Sequence, residues 1–386
     1  MTAYKKEDLN NRLVQQTAQE AFYDGHLDEA GYAAILQKHP QTLYTPNFFV
    51  FIGLSLLTFI IGIFGGGLFS LMFLSAGGDD AIRALLIVLA IMAYIALELI
   101  VNNKKHFNAG TDNSLMVLVV VLLLSAFMFT SGNNVAACSV LFLVCTWMCY
   151  RFADAFMGMM AYVFLLLWLF NVCIAGSIYT FSATPFILMA VSAIIYWMVN
   201  KWSGKSSSLY YRKIIDYTRL LTVISFYASV NYYMVSEVIN NGSFGSDISP
   251  GIILPFAWLF WAFTFIIPIG YVWHGVKNKS LLFLRCGAML AAASIATIRY
   301  YHAIMPLDVA FMLAGTLLIA ISWLLIKYLR TPRGGFVFAD NTAGRKELQN
   351  VEALIIAQAF KIKHGPAHNV EFGGGSSGGG GATGGY

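Results

Sequence analysis

Ser225, Ser229, Tyr233 and Glu237 follow one another at a strict four-residue spacing. On a helix this spacing puts three hydroxyls on one face and ends it in a carboxylate. Further along the chain, Arg299, His302 and Asp308 stand close together, and Tyr300 and Tyr301 lie between the first two. If the two groups face one another, Ser229, Tyr233, Glu237, Arg299, His302 and Asp308 would surround a small polar pocket able to hold a ligand or pass a proton. The bland alternative is hydrogen-bonding glue between packed helices with an aromatic belt at a membrane boundary. Two other charged pairs, Arg151 with Asp154 and Asp216 with Arg219, have the three-residue spacing at which opposite charges can meet on one helix face.

Other chemistry has less support. Cys145 and Cys149 stand one turn apart near Cys138, but no Met or His at matching spacing completes a metal site, so no metal and no cofactor are expected. Ser177 follows Ala175 and Gly176 without a histidine base in sight. There is no Gly-rich phosphate loop followed by lysine, and no HExxH pair.

The elements that must position these residues are apolar throughout. Hydrophobic residues make up 58% of the chain and charged residues 11%, with a mean hydropathy of +0.68. A soluble domain does not keep such a balance in solution. The block from residue 47 to residue 330 reads as an all-α transmembrane bundle, because only helices satisfy the backbone of isolated apolar segments in lipid. About ten spans of adequate length are expected, at 47–74, 81–101, 114–131, 134–150, 155–175, 180–199, 216–239, 251–273, 280–298 and 307–329. The third and fourth spans should form a tight hairpin. Pro255 and Pro268 predict kinks in the eighth, and Gly65, Gly66 and Gly67 predict a close helix approach or a break in the first.

Lysine and arginine alternate with the connectors. Lys104, Lys105, Arg151, Lys201, Lys205, Arg212, Lys213, Lys277, Lys279, Lys327, Arg330 and Arg333 fall on one side. The connectors at 77–80, 131–133, 175–181, 240–250 and 300–306 hold no lysine. Positive charge marks the cytoplasmic side, so both termini are expected there, in a bacterial inner membrane. With the cations accounted for in this way, the net charge of +5 implies no nucleic-acid partner.

Residues 1–46 lack a cleavable signal and fit a cytoplasmic helical hairpin. The first helix is stopped by Gly25 and the second is capped by Asp28. After the spans, residues 331–372 hold an amphipathic helix at about 345–363. Residues 373–386 are almost all glycine, too poor in apolar side chains to fold alone, and end in Tyr386. The hairpin either packs on the ends of the spans or docks a protein partner, and the tail is either passive or offers Tyr386 to such a partner; the lipid bilayer itself is the other partner.

The run Asp24-Gly25-His26-Leu27-Asp28-Glu29 ahead of a long array of spans resembles a group of uncharacterised bacterial polytopic membrane proteins with a short helical hairpin. The segment Lys327-Tyr328-Leu329-Arg330-Thr331-Pro332-Arg333-Gly334-Gly335-Phe336 and the Gly-rich tail are similar to membrane proteins of the Bacteroidetes type. Gly-rich tails ending in an aromatic also occur on proteins of the LemA and TPM-domain kinds. The resemblance implies an architecture and no activity.

Three readings follow. The first is a non-enzymatic scaffold, sensor or membrane-complex component that recruits partners through its cytoplasmic ends. The second is a secondary transporter or channel using the polar pocket. The third is a membrane-embedded transferase or hydrolase, which needs His302 and an acid within hydrogen-bond reach.

Overall fold

The computed structural model describes residues 3–74, 79–128, 134–175, 178–241, 256–278 and 280–301, with single helical positions between 309 and 327. Two compact units divide the chain, Met1–Tyr328 and Leu329–Tyr386. The second unit lies outside the described residues, together with the amphipathic helix and Gly-rich tail expected there. So do His302, Asp308, Ser177 and Pro255.

The described part is all-helical. A short hairpin comes first, α1 (Lys6–Tyr23) and α2 (Glu29–Lys38). Gly25 has φ +73°, the left-handed backbone that ends α1. Asp28 accepts a hydrogen bond from the Gly31 amide at 3.0 Å and so caps α2. Then follow α3 (Phe48–Leu74), α4 (Asp79–Lys104), α5 (Thr111–Met128), α6 (Asn134–Phe152), α7 (Ala155–Ala175) and α8 (Ile178–Ser203). A 3-10 turn at Ser206–Tyr211 leads to α9 (Arg212–Ala228), α10 (Tyr232–Asn241), α11 (Ala257–Lys277) and α12 (Leu281–Tyr301). Among the described residues, seven helices are long and apolar enough to cross a membrane: α3, α4, α6, α7, α8, α11 and α12. The chain is therefore a multi-pass membrane protein. The expected third span is the shorter α5, and the expected seventh is divided between α9 and α10.

Hydropathy and packing do not run together. The apolar window of α3 has none of its residues buried. It touches α5 through a Ser55–Ser114 hydroxyl contact of 2.6 Å and leaves Leu56, Ile63, Phe64 and Leu68 outward. Lipid is as apolar as those side chains, so nothing drives them inward. The Gly65–Gly67 run departs from expectation: α3 continues through it, and a methyl group added at Gly65 or Gly67 would meet nothing. Close approach is found instead at Gly275 and Gly287. Added Cβ atoms there would fall 2.6 Å from the Leu284 amide nitrogen and 2.8 Å from that of Val272, so α11 and α12 pack backbone against backbone. Pro268 lies buried inside α11, and Pro185 lies inside α8.

Candidate functional site

The seventh expected span is not one helix. α9 continues about 15 Å beyond Arg219 to Ser229. There the helix stops, and it resumes at Tyr232. An interruption buried among apolar helices leaves backbone groups that need partners. Side chains satisfy them here. Asn231, 3% exposed, caps α10 by accepting from the Met234 amide at 3.2 Å. The Tyr232 amide donates to Thr264 Oγ1 on α11 at 3.0 Å.

A chain of neutral polar groups runs from this cap through the bundle. Asn231 Nδ2 donates to Tyr227 Oη at 2.7 Å, Tyr227 and Ser294 share a hydrogen bond of 3.0 Å, and Ser294 Oγ donates to the Thr264 carbonyl at 2.6 Å. Thr297 lies 3.4 Å from Asn231 Nδ2. All five residues are buried. The network joins α9, α10, α11 and α12 without placing an ion in the apolar interior, where a charge is costly.

The break also divides the hydroxyl stripe. Ser225 shares hydrogen bonds with Tyr162 on α7 and Ser192 on α8. Ser229 Oγ turns back to the Phe226 carbonyl at 3.0 Å. Tyr233 and Glu237, beyond the break, meet α12 instead. The Tyr233 ring packs edge-on against Tyr300 with centroids 4.8 Å apart, and Tyr300 Oη donates to Glu237 Oε1 at 2.9 Å. Arg299 precedes Tyr300 on the same helix. The structure thus brings Glu237 and Tyr233 to the last turn of α12 but separates them from Ser225 and Ser229, because one continuous helix was the premise of the shared face.

Cavities lie on both sides of the break. One of about 360 Å³ is walled by Leu166, Leu167 and Phe170 of α7, Thr184, Pro185 and Leu188 of α8, and Ser225, Ser229, Val235 and Val238. The other, about 350 Å³, lies against α12 and is lined by Tyr227, Asn231, Tyr233, Leu290, Thr297 and Tyr300. Both linings are apolar, with hydroxyl and amide groups interspersed and no charged residue.

A second polar cluster sits at the hairpin end of α4, α5 and α6. Arg151 makes a two-pronged contact with Glu98 of α4, Nε to Oε1 at 3.0 Å and Nη2 to Oε2 at 3.1 Å. This corrects the expected pairing of Arg151 with Asp154: α6 ends at Phe152 and Ala153 has φ +53°, so the two are not on one helix. Asp154 caps α7 at the Met157 amide, 2.8 Å away, and accepts from Asn113 Nδ2 at 2.9 Å. Asp216 and Arg219 do pair, at 3.4 Å, and Arg219 also donates to Asn200 and Ser203 of α8 at 2.7 Å each. Burial pushes the Asp154 carboxyl above the usual carboxylate range.

The N-terminus closes over this cluster. The Ala3 amide donates to the Arg151 carbonyl at 2.6 Å, and Tyr4 Oη donates to the His106 carbonyl at 3.0 Å. The Arg12 guanidinium lies over the Phe107 ring at 4.0 Å, and Asp8 pairs with Lys105 at 3.7 Å. Burial lowers both the Arg12 and the His106 values and raises that of Tyr4. Arg12 Nη1, His106 Nδ1 and Asn113 Oδ1 are buried here without a hydrogen-bond partner.

Spacing rules missed two of these features. The Glu98–Arg151 pair joins helices 53 residues apart, and within-helix spacing does not point across that distance. The break had a readable signal, since Asn231 is an N-cap residue type in the middle of an apolar run. The five cysteines are free thiols, and among the described residues no group of three or more His, Cys, Asp or Glu side chains is placed to hold a metal ion. Compared with protein families, characterised proteins and solved structures, the chain matches none.

Proposed function

We propose that this membrane protein is a secondary transporter or channel whose solute site is the interruption between α9 and α10. The observation that carries the reading is the buried interruption between Ala228 and Tyr232, with its free backbone ends capped by Asn231 and Thr264 and with a cavity on either side. Broken helices within a membrane are tolerated where they are buried or line a cavity, and in transporters they form the substrate position. Neutral hydroxyl and amide groups among apolar walls fit an uncharged, partly apolar solute. Glu237 and Tyr300, with Arg299 beside them, form the mouth on the side away from the hairpin. The lysine-rich connectors on the hairpin side support an orientation with that mouth outside a bacterial inner membrane and both termini in the cytoplasm.

Substituted cysteines test this. In a variant lacking the five native thiols, Tyr233→Cys and Ser229→Cys are exposed to a membrane-impermeant thiol reagent in right-side-out and inverted vesicles. Labelling of Tyr233→Cys from outside, and of Ser229→Cys from at least one side, is the expected result. If neither position is labelled from either side, the bundle is closed and the transport reading falls. The function then moves to a scaffold or complex component. That reading rests on α2, which buries none of its residues while α1 is fixed to the bundle, and so offers a surface to a partner.

A further inference from the structure

The hairpin-side rim carries some cations that are paired and others, Lys104 among them, that are exposed without an ion pair among the described residues. Around α4, α6 and the N-terminus, Arg151 pairs with Glu98 and Lys105 with Asp8. Around α8, α9, α11 and α12, the cations Lys201, Lys205, Arg212, Lys213, Lys277 and Arg285 are all exposed, and none of them forms an ion pair among the described residues. The acid of that rim, Asp216, is already taken by Arg219.

Two of these lysines carry an aromatic partner one turn earlier. Lys201 Nζ lies 5.1 Å from the Trp197 ring on α8, and Lys277 Nζ lies 4.9 Å from the Trp273 ring on α11. Both indoles face outward, 61% and 64% exposed. The same four-residue spacing recurs at Trp323 and Lys327, with the ammonium 5.1 Å from the ring. The ends of α8, α11 and α12 are tied together by Phe283, whose ring meets Tyr196, Tyr271 and His274 at 5.7, 5.4 and 4.7 Å.

We infer that this rim is a binding surface for anionic phospholipid headgroups of the hairpin-side leaflet. An exposed indole on a spanning helix settles at the level of the headgroups. A lysine one turn further out then stands at phosphate height, and the cation–π contact holds its chain along the ring. Several unpaired cations at that height attract an anionic leaflet, and a cation already neutralised by an acid, as Arg151 and Lys105 are, does so less. A protein partner would also find cations here, but the outward indoles lie where acyl chains begin, which favours lipid.

Native mass spectrometry of the full chain released from nanodiscs of equimolar phosphatidylcholine and phosphatidylglycerol tests the inference. Retained lipid should be predominantly phosphatidylglycerol. Retention should drop about fivefold for each lysine removed in Lys201→Gln and Lys277→Gln. Lys105→Gln, which removes a paired cation, should leave it unchanged, and the Lys201→Arg, Lys277→Arg double variant should retain it. All three positions, Lys105, Lys201 and Lys277, are exposed and outside the packed core. Equal retention of the two lipids overturns the inference, as does wild-type retention in the double Gln variant. So does displacement of phosphatidylglycerol by equimolar inorganic phosphate, which would mark a site for a soluble anion. None of these outcomes depends on the solute site at the α9–α10 break.

Discussion

The rim under the hairpin and the break between α9 and α10 solve one problem with opposite materials. At the rim, Glu98, Arg151, Asp8 and Lys105 are ionised groups that neutralise one another across helices. At the break, Tyr227, Asn231, Thr264, Ser294 and Thr297 are all neutral, and they hydrogen-bond one another and the neighbouring backbone. Burial explains the choice. The Glu98 and Arg151 side chains are partly exposed, so they reach water and an ion pair is affordable; the five residues at the break are buried among apolar helices, where a single unpaired charge is costly, so only groups that pair without ionising are used. The rim is therefore suited to holding a shape, and the break to holding a neutral guest.

The largest expected effect comes from putting the wrong material at the break. Asn231→Leu removes the α10 cap and leaves the Met234 amide and Tyr227 Oη short of a partner. The cost should be about 2 to 3 kcal/mol, summing a lost cap and interhelical hydrogen bonds. It is read as a lower midpoint of thermal unfolding in nanodiscs. Asn231→Asp keeps the capping oxygens but adds a charge, and should be no better than Leu at neutral pH. A variant as stable as wild type would show that the break is not held by its polar network.

At the rim the effects should be smaller. The Glu98 and Arg151 side chains are 22% and 28% exposed, so solvent screens the pair. Glu98→Gln should cost about 1 kcal/mol, and the double variant Glu98→Gln, Arg151→Met should recover part of it, since the remaining partner is no longer left alone. If the double variant loses the sum of the two single losses, the pair is not coupled and the contrast with the break fails.

Much of this was legible in the sequence, for stated reasons. Hydropathy finds helices that lipid solvates, and Gly25 and Asp28 end and begin the hairpin helices by local backbone chemistry. What escaped was anything set by which faces meet. The repeated spacing of Ser225, Ser229, Tyr233 and Glu237 reads as one face, yet the residues between Ser229 and Tyr232 rotate its second half onto α12. The glycine run in α3 makes no close backbone approach, with only Gly66 near a Leu89 methyl, while the isolated Gly275 and Gly287 hold α11 on α12. The pocket drawn from Glu237, Arg299, His302 and Asp308 is described only for its first two members, on α10 and α12.

The smallest and most selective expectation concerns pH, to which the neutral network is indifferent and the rim is not. His106 has a folded value below its ordinary one of about 6.5, because burial disfavours the imidazolium. A lowered value means that the folded state binds fewer protons than the unfolded chain. The contribution of His106 is therefore intact above about 6.5 and is lost as pH falls from there toward the folded value. Asp154 has a raised value, so the folded state holds its proton more tightly, and its contribution is largest at low pH and fades as pH rises through the raised value. Between neutrality and the carboxylate range the two oppose each other. His106→Gln should remove the loss on mild acidification, and Asp154→Asn should flatten the opposite slope below it, both read as thermal midpoint against pH. Neither should alter labelling of Ser229→Cys at the break. If His106→Gln leaves the profile unchanged, the imidazole is already hydrated, and the N-terminal segment does not seal the rim as its contacts through Ala3 and Tyr4 imply.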